Sequence, residues 1–146
     1  MGKQVEILLV EDNEGDIRLT QEALKESKLD NQLSIVKDGE EALEFLHKKG
    51  KYKDAATPDL VLLDLNLPKK NGREVLEEVK RDPALAMIPI VVLTTSQAEE
   101  DIVKVYAEHA NCYIQKPVDF NRFMEVVHSV ESFWFSIVKL PNRFNR

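Results

Sequence analysis

Apolar runs of five to eight residues alternate with longer stretches in which apolar positions recur every three or four residues, and this alternation continues along the chain. "VEILLV" at 5–10 is apolar almost throughout, as expected of a strand covered on both faces in a parallel sheet. "GDIRLTQEALKES" then sets Ile17, Thr20 and Leu24 at helical spacing, with charges on the opposite side. "LSIVK" predicts a second strand and "GEEALEFLHKK" a second helix, buried through Ala42, Leu43, Phe45 and Leu46 and ended by Gly50. The unit recurs three more times. "DLVLLDL" precedes "GREVLEEVKRD", "IPIVVLTT" precedes "QAEEDIVKVYAEH", and "CYIQK" precedes "DFNRFMEVVHSVESFWFSIVK".

Five consecutive strand-helix units predict a doubly wound α/β fold, because right-handed crossovers place helices on both faces of a parallel sheet. Ligands in such folds sit outside the carboxyl ends of the strands, where the strand order reverses. The strand ends here carry polar groups of a consistent kind: Glu11 and Asp12 after the first, Asp64 after the third, Thr94 and Thr95 after the fourth, Lys116 after the fifth. Lys37 and Asp38, after the second, read as loop residues. An acid at a strand end is ordinarily a turn former or helix cap, and Glu11 or Asp12 could cap the helix beginning near Gly15. Convergence of several such groups on one crevice favours a site instead.

Three carboxylates near one point repel, and a cation offsets the repulsion. Oxygen ligands without a nearby His or Cys favour Mg²⁺ or Mn²⁺ over zinc. A threonine hydroxyl and a lysine ammonium are groups that hold phosphoryl oxygens. With Asp64 as nucleophile, the set reads as a site for in-line phosphoryl transfer to a carboxylate. His47, His109 and His128 lie on predicted helices without partners at ligand spacing, and no metal or catalytic role is assigned to them.

Composition narrows the setting. At 146 residues and 43% hydrophobic content, the chain suits one domain with a single core, and 1–146 is read as one domain with a C-terminal extension from about residue 136. No stretch approaches the roughly 20 apolar residues that span a bilayer, and the N-terminus lacks a signal-peptide pattern. A single cysteine, Cys112, fits a reducing compartment, so a cytoplasmic protein is expected. The net charge of −6 opposes general nucleic-acid binding, which needs a basic surface.

The segments "LLVEDNEGD", "VLLDLNLPKKNG", "IVVLTTS" and "YIQKP", in this order and each at a strand end, resemble the signature segments of the receiver domain of two-component response regulators, over residues 5 to about 135. The resemblance implies a flavodoxin-like five-stranded parallel sheet of order 2-1-3-4-5 with an extended C-terminal helix. It makes Asp64 the phosphoacceptor and Glu11 and Asp12 the acidic pair serving the metal, with the backbone carbonyl of Asn66 as a further ligand. Spacing from Pro89 in the family pattern selects Thr94 rather than Thr95 as the hydroxyl switch; Tyr113 becomes the aromatic switch and Lys116, followed by Pro117, the phosphoryl-binding cation. Such a domain is not an enzyme beyond promoting its own phosphorylation and dephosphorylation; a histidine kinase donates its phosphate. "EDNEGDIRLTQEAL" and "ESFWFSIVKLP" are similar to the phytochrome-associated single-domain response regulators of cyanobacteria, which implies a phytochrome photoreceptor kinase as partner.

No output domain is expected after the last helix, so output would pass through another, unidentified protein. Apolar residues in that helix exceed one stripe, and Phe133, Trp134 and Phe135 are consecutive, about 100° apart on a helix. They cannot all enter one core. A homodimer through the fourth helix, fifth strand and fifth helix is expected, and the subfamily resemblance implies that it is present even before phosphorylation. The alternative is a haloacid-dehalogenase-type phosphatase forming an aspartyl-phosphate intermediate. That family wants a second acid two positions after the nucleophile, where this chain has Asn66. A flavodoxin is weaker still, because "EDNEGD" would repel the flavin phosphate.

Overall fold

The protein is described from a computed structural model covering residues 4–26, 30–94 and 112–115, with Asn121 and Glu125. Strands β1 (Val5–Val10), β2 (Asn31–Val36), β3 (Leu60–Asp64), β4 (Ile90–Thr94) and β5 (Cys112–Gln115) form one sheet of order β2-β1-β3-β4-β5. Every neighbouring pair is parallel. The order reverses at β1 and β3, so the crevice expected from the sequence opens between their carboxyl ends.

The continuous apolar runs are explained by two cores, one on each face of the sheet. Leu8, Val10, Val61, Leu63, Ile90 and Val92 pack with helices α2 (Gly39–Leu46) and α3 (Gly72–Arg81). Ile7, Leu9, Leu60, Leu62, Val91 and Leu93 turn the other way, toward α1 (Glu14–Glu26) with its Ile17, Ala23 and Leu24. Alternate residues of each strand thus serve opposite cores, and all five positions of both β3 and β4 are buried. The outer strand β2 is buried fully only at Val36, is exposed at Gln32 and is partly buried elsewhere.

Helix starts follow from capping groups. Asn13 begins α1: its side-chain oxygen accepts from the Asp16 amide at 2.9 Å, which leaves capping to neither Glu11 nor Asp12. Asp38 caps α2 by accepting from the Glu41 amide at 2.7 Å. Asn71 and Glu74 form a reciprocal capping box at α3, each side chain bonding the other's backbone amide.

One helix end departs from the sequence expectation. The spacing predicts that α2 runs to Lys49 and is ended by Gly50, yet the helix ends at Leu46. Lys48 takes the left-handed conformation, φ 57°; its amide bonds the Phe45 carbonyl and that of Lys49 bonds the Glu44 carbonyl. Those two bonds are a Schellman closure with lysine where glycine is usual. Gly50 instead opens a short 3-10 turn, Gly50–Tyr52. There Tyr52 packs against Phe45 at a tilt, ring centroids 5.0 Å apart and planes at 54°, and its hydroxyl donates to Glu41. The expected fourth helix and the C-terminal helix with its extension lie outside the described residues, apart from Asn121 and Glu125, which are helical and exposed.

Candidate phosphoacceptor site

Sheet register assembles the site. Val10 is level with Leu63, so the next residues along β1 and β3, Glu11 and Asp64, emerge side by side at the carboxyl edge. Asp64 is in turn level with Leu93, which puts Thr94 one step further along β4. One carboxylate oxygen from each of Glu11, Asp12 and Asp64 lies within 4.8 Å of the other two. Glu11 and Asp64 are buried, Asp12 is exposed, and Thr94 is buried.

Local bonds fix the acids. A Glu11 carboxylate oxygen accepts from the Asn13 amide at 3.1 Å, and Asp64 Oδ1 accepts from the Asn66 amide at 3.2 Å. Asp64 therefore forms the turn expected of an acid at a strand end and also joins the cluster. Three carboxylates this close, two of them removed from water, carry mutual repulsion that a divalent cation relieves. Oxygen is the only donor type in the cluster, and the exposed Asp12 leaves one side open to water and substrate. The donor set therefore fits Mg²⁺ or Mn²⁺.

Gly72 brings α3 against this edge. A methyl group on its Cα would lie 2.4 Å from the Asp64 carbonyl oxygen and 2.6 Å from Leu65 Cα, closer than side-chain carbons approach backbone. The missing side chain lets the Gly72 amide reach the Leu65 carbonyl at 3.0 Å, which ties the helix start to the backbone beside the acid. Sequence reasoning missed Gly72 and Asn13. The N-x-x-E pattern of Asn71 and Glu74 could have located the helix start, but nothing local signals the close approach of Gly72 to Asp64.

Among the expected site residues, Glu11, Asp12, Asp64 and Thr94 are gathered at adjoining strand ends, and Asn66 is tied to Asp64 through its amide. The backbone of Tyr113 stands in β5 opposite Val92. The switch role expected of the Tyr113 side chain, and Lys116, Phe133, Trp134 and Phe135, lie outside the described residues.

The model of the response regulator receiver domain matches residues 7–128. The chain belongs to that family. As a response regulator receiver domain of two-component signalling it is a phosphoryl-accepting partner of a histidine kinase, and the haloacid-dehalogenase alternative finds no support. The chain is 50% identical over 135 residues to "Response regulator Rcp1" of Synechocystis sp., covering 92% of each chain. Among solved structures, that of the phosphorylated cyanobacterial phytochrome response regulator RcpA is 50% identical and superposes with a TM-score of 0.78, covering 92% of this chain and 96% of that one. The Mn(2+)-bound form of Rcp1, also 50% identical, superposes with a TM-score of 0.76 over 89% of this chain and 94% of that one. Among the described residues of this receiver domain, no helix is long and apolar enough to cross a membrane.

Proposed function

We propose that this receiver domain accepts a phosphoryl group on Asp64 from a phytochrome-type histidine kinase and transmits the signal through protein contacts. The observation that carries the reading is the cluster of Glu11, Asp12 and Asp64 at the reversal of the sheet, with Asp64 buried on the middle strand. A carboxylate oxygen of Asp64 attacks the phosphorus of a phosphoimidazole in line. The P–N bond breaks, the imidazole nitrogen keeps the electron pair and takes a proton from water, and an acyl phosphate forms on Asp64.

Glu11, Asp12, Asp64 and the Asn66 carbonyl would hold the divalent cation, which when bound neutralises charge on the phosphoryl oxygens. The Asn66 amide, bonded to Asp64 Oδ1, helps orient the nucleophile. The Thr94 hydroxyl and the Lys116 ammonium receive phosphoryl oxygens from β4 and from beyond β5, and Tyr113 follows the hydroxyl as the aromatic switch. Burial of Asp64 and Thr94 limits water at the acyl phosphate.

The kinase assignment rests on the similarity to Rcp1 and RcpA, the latter a phytochrome response regulator by its description. The 146 residues are read as a single cytoplasmic receiver domain, with a C-terminal extension from about residue 136. Phe133, Trp134 and Phe135 are assigned to a homodimer built on the fourth helix, fifth strand and fifth helix, because three consecutive aromatics cannot all enter one core. Its downstream target is another protein.

The test is phosphotransfer from an autophosphorylated phytochrome kinase, run with Mg²⁺ and with chelator, on wild type and Asp64→Asn. The amide keeps volume and removes the nucleophile, so acid-labile, base-labile phosphate is expected on wild type with Mg²⁺ alone. Undiminished labelling of Asp64→Asn would remove Asp64 from the role.

A further inference from the structure

The loop from Leu65 to Asn71 links Asp64 to α3 and carries Asn66. Both its ends are pinned near the acid, by the Asn66 amide on Asp64 Oδ1 and by the Gly72 amide on the Leu65 carbonyl. Near its end, just before α3, it also meets another part of the fold. A methyl group on Gly39, the first residue of α2, would lie 1.8 Å from the Lys70 carbonyl oxygen, 2.7 Å from its carbonyl carbon and 2.9 Å from its Cβ. Helix and loop thus touch backbone to backbone. The neighbouring Lys69 adopts φ 66°, a left-handed conformation that a lysine keeps only when its surroundings impose it, and its ammonium lies 3.7 Å from Asp38 Oδ2.

The two partners of this contact are unequal. α2 is anchored by Ala42, Leu43, Phe45 and Leu46 in the core, and by Asp38 bonding the Glu41 amide. The loop also enters the core at Leu65 and Leu67, but the stretch that meets Gly39 does not: Pro68 and Lys69 are exposed and Lys70 is half-buried. A side chain inserted at the contact would therefore displace the loop and spare the helix. Lys70 is four residues from Asn66, and little chain lies between them to absorb the shift.

We propose that Gly39 is a positioning residue for phosphoryl transfer: by having no side chain it lets α2 support the Lys70 carbonyl and so sets the loop that presents Asn66 to the cation beside Asp64. The site extends in this way to the β2–α2 connection, although neither Asp38 nor Gly39 touches the reacting groups. The inference rests on the reading of Asp64 and Asn66 given above, and its test is arranged so that the two can fail separately.

The experiment measures Mn²⁺ dissociation constants by water-proton relaxation on the full chain, folded by circular dichroism, beside phosphorylation by a small phosphoramidate. Gly39→Ala is expected to weaken Mn²⁺ about tenfold, the scale on which displaced supports of metal ligands act. Lys70→Ala keeps the carbonyl and should bind Mn²⁺ as the wild type does. A role confined to stability would lower the melting temperature of Gly39→Ala and leave the Mn²⁺ affinity of the folded protein unchanged; that result, or an equal defect in Lys70→Ala, overturns the proposal. Should Gly39→Ala not fold, amide exchange on the wild type decides. Mg²⁺ is expected to slow exchange at Glu41 and Ala42, whose amides bond Asp38 at the α2 start, and unchanged exchange there overturns the proposal. A wild type that binds Mn²⁺ but takes no phosphate would defeat the reading of Asp64 while leaving the metal test of Gly39 intact.

Discussion

Replacing Gly72 with alanine puts a methyl group 2.4 Å from the Asp64 carbonyl oxygen and 2.6 Å from Leu65 Cα. Both obstacles are backbone, so no side chain can rotate away, and the contact must open by about 1 Å to reach ordinary packing distance. Overpacking of this kind costs about 1–3 kcal/mol. Weakening the Gly72 amide bond to Leu65 adds about 1 kcal/mol, and the better helix propensity of alanine returns up to about 1 kcal/mol. The net loss is about 2 kcal/mol, a fall in Tm of about 6 °C for a chain of this size. The functional loss is larger. Displacing a reacting carboxylate by about 1 Å costs about 10²-fold in rate. Calorimetry gives the first quantity, and pseudo-first-order phosphorylation by a phosphoramidate in saturating Mg²⁺, well below the melting temperature, gives the second. A Gly72→Ala protein that melts with the wild type and is phosphorylated at its rate would refute the claim that α3 is seated on the phosphoacceptor's backbone.

Other perturbations separate stability from signalling. Asn71→Ala removes the capping box at α3 and should cost about 1 kcal/mol in urea unfolding; no loss would mean the box is idle. Thr94→Ala should still be phosphorylated but show a reduced conformational response to the donor in amide spectra, and a full response would remove its hydroxyl from the switch. Tyr52→Phe keeps the ring on Phe45 and deletes the hydroxyl whose bond is the main cause holding the Glu41 carboxyl below its usual value of 4.5. A depressed carboxylate stabilises the fold above its unfolded pKa and loses that contribution as pH falls through the folded one. The stability difference between wild type and Tyr52→Phe should therefore be largest near neutrality and shrink below pH 4.5, and equal differences at pH 3.5 and 7 would contradict the assignment. Toward high pH the same pair acts in the opposite sense. Burial first, then Glu41, push the Tyr52 phenol up to about 12, so its contribution holds below pH 10 and fades toward 12.

The elements legible in the sequence were those whose pattern is dictated by burial. β1, β3 and β4 read as largely apolar runs because the sheet is covered on both faces, and α1 and α2 show the stripes they bury. The acids were legible because parallel strands deliver their carboxyl ends to one edge, so Glu11, Asp12 and Asp64 could be joined without knowing any contact. Where tertiary context overrides a local preference, the sequence misleads. Gly50 looked like the helix stop, but Lys48 accepts the left-handed conformation and ends α2 earlier. Close approaches are equally hidden, since what Gly72 and Gly39 touch lies in other segments of the chain. The receiver-family pattern supplied what residue chemistry alone left open, the choice of Thr94 over Thr95 and the roles of Asn66 and Tyr113.

The central claim is that the acyl phosphate forms on Asp64, and chemical trapping tests it most directly. Phosphorylated protein is reduced with borohydride, which converts an aspartyl phosphate to homoserine, and is then digested and sequenced by mass spectrometry. The account predicts homoserine at position 64, dependent on Mg²⁺ or Mn²⁺ and absent from unphosphorylated controls. Homoserine at position 12 with Asp64 intact, or stable phosphate on a serine, threonine or histidine with no homoserine at all, would contradict it.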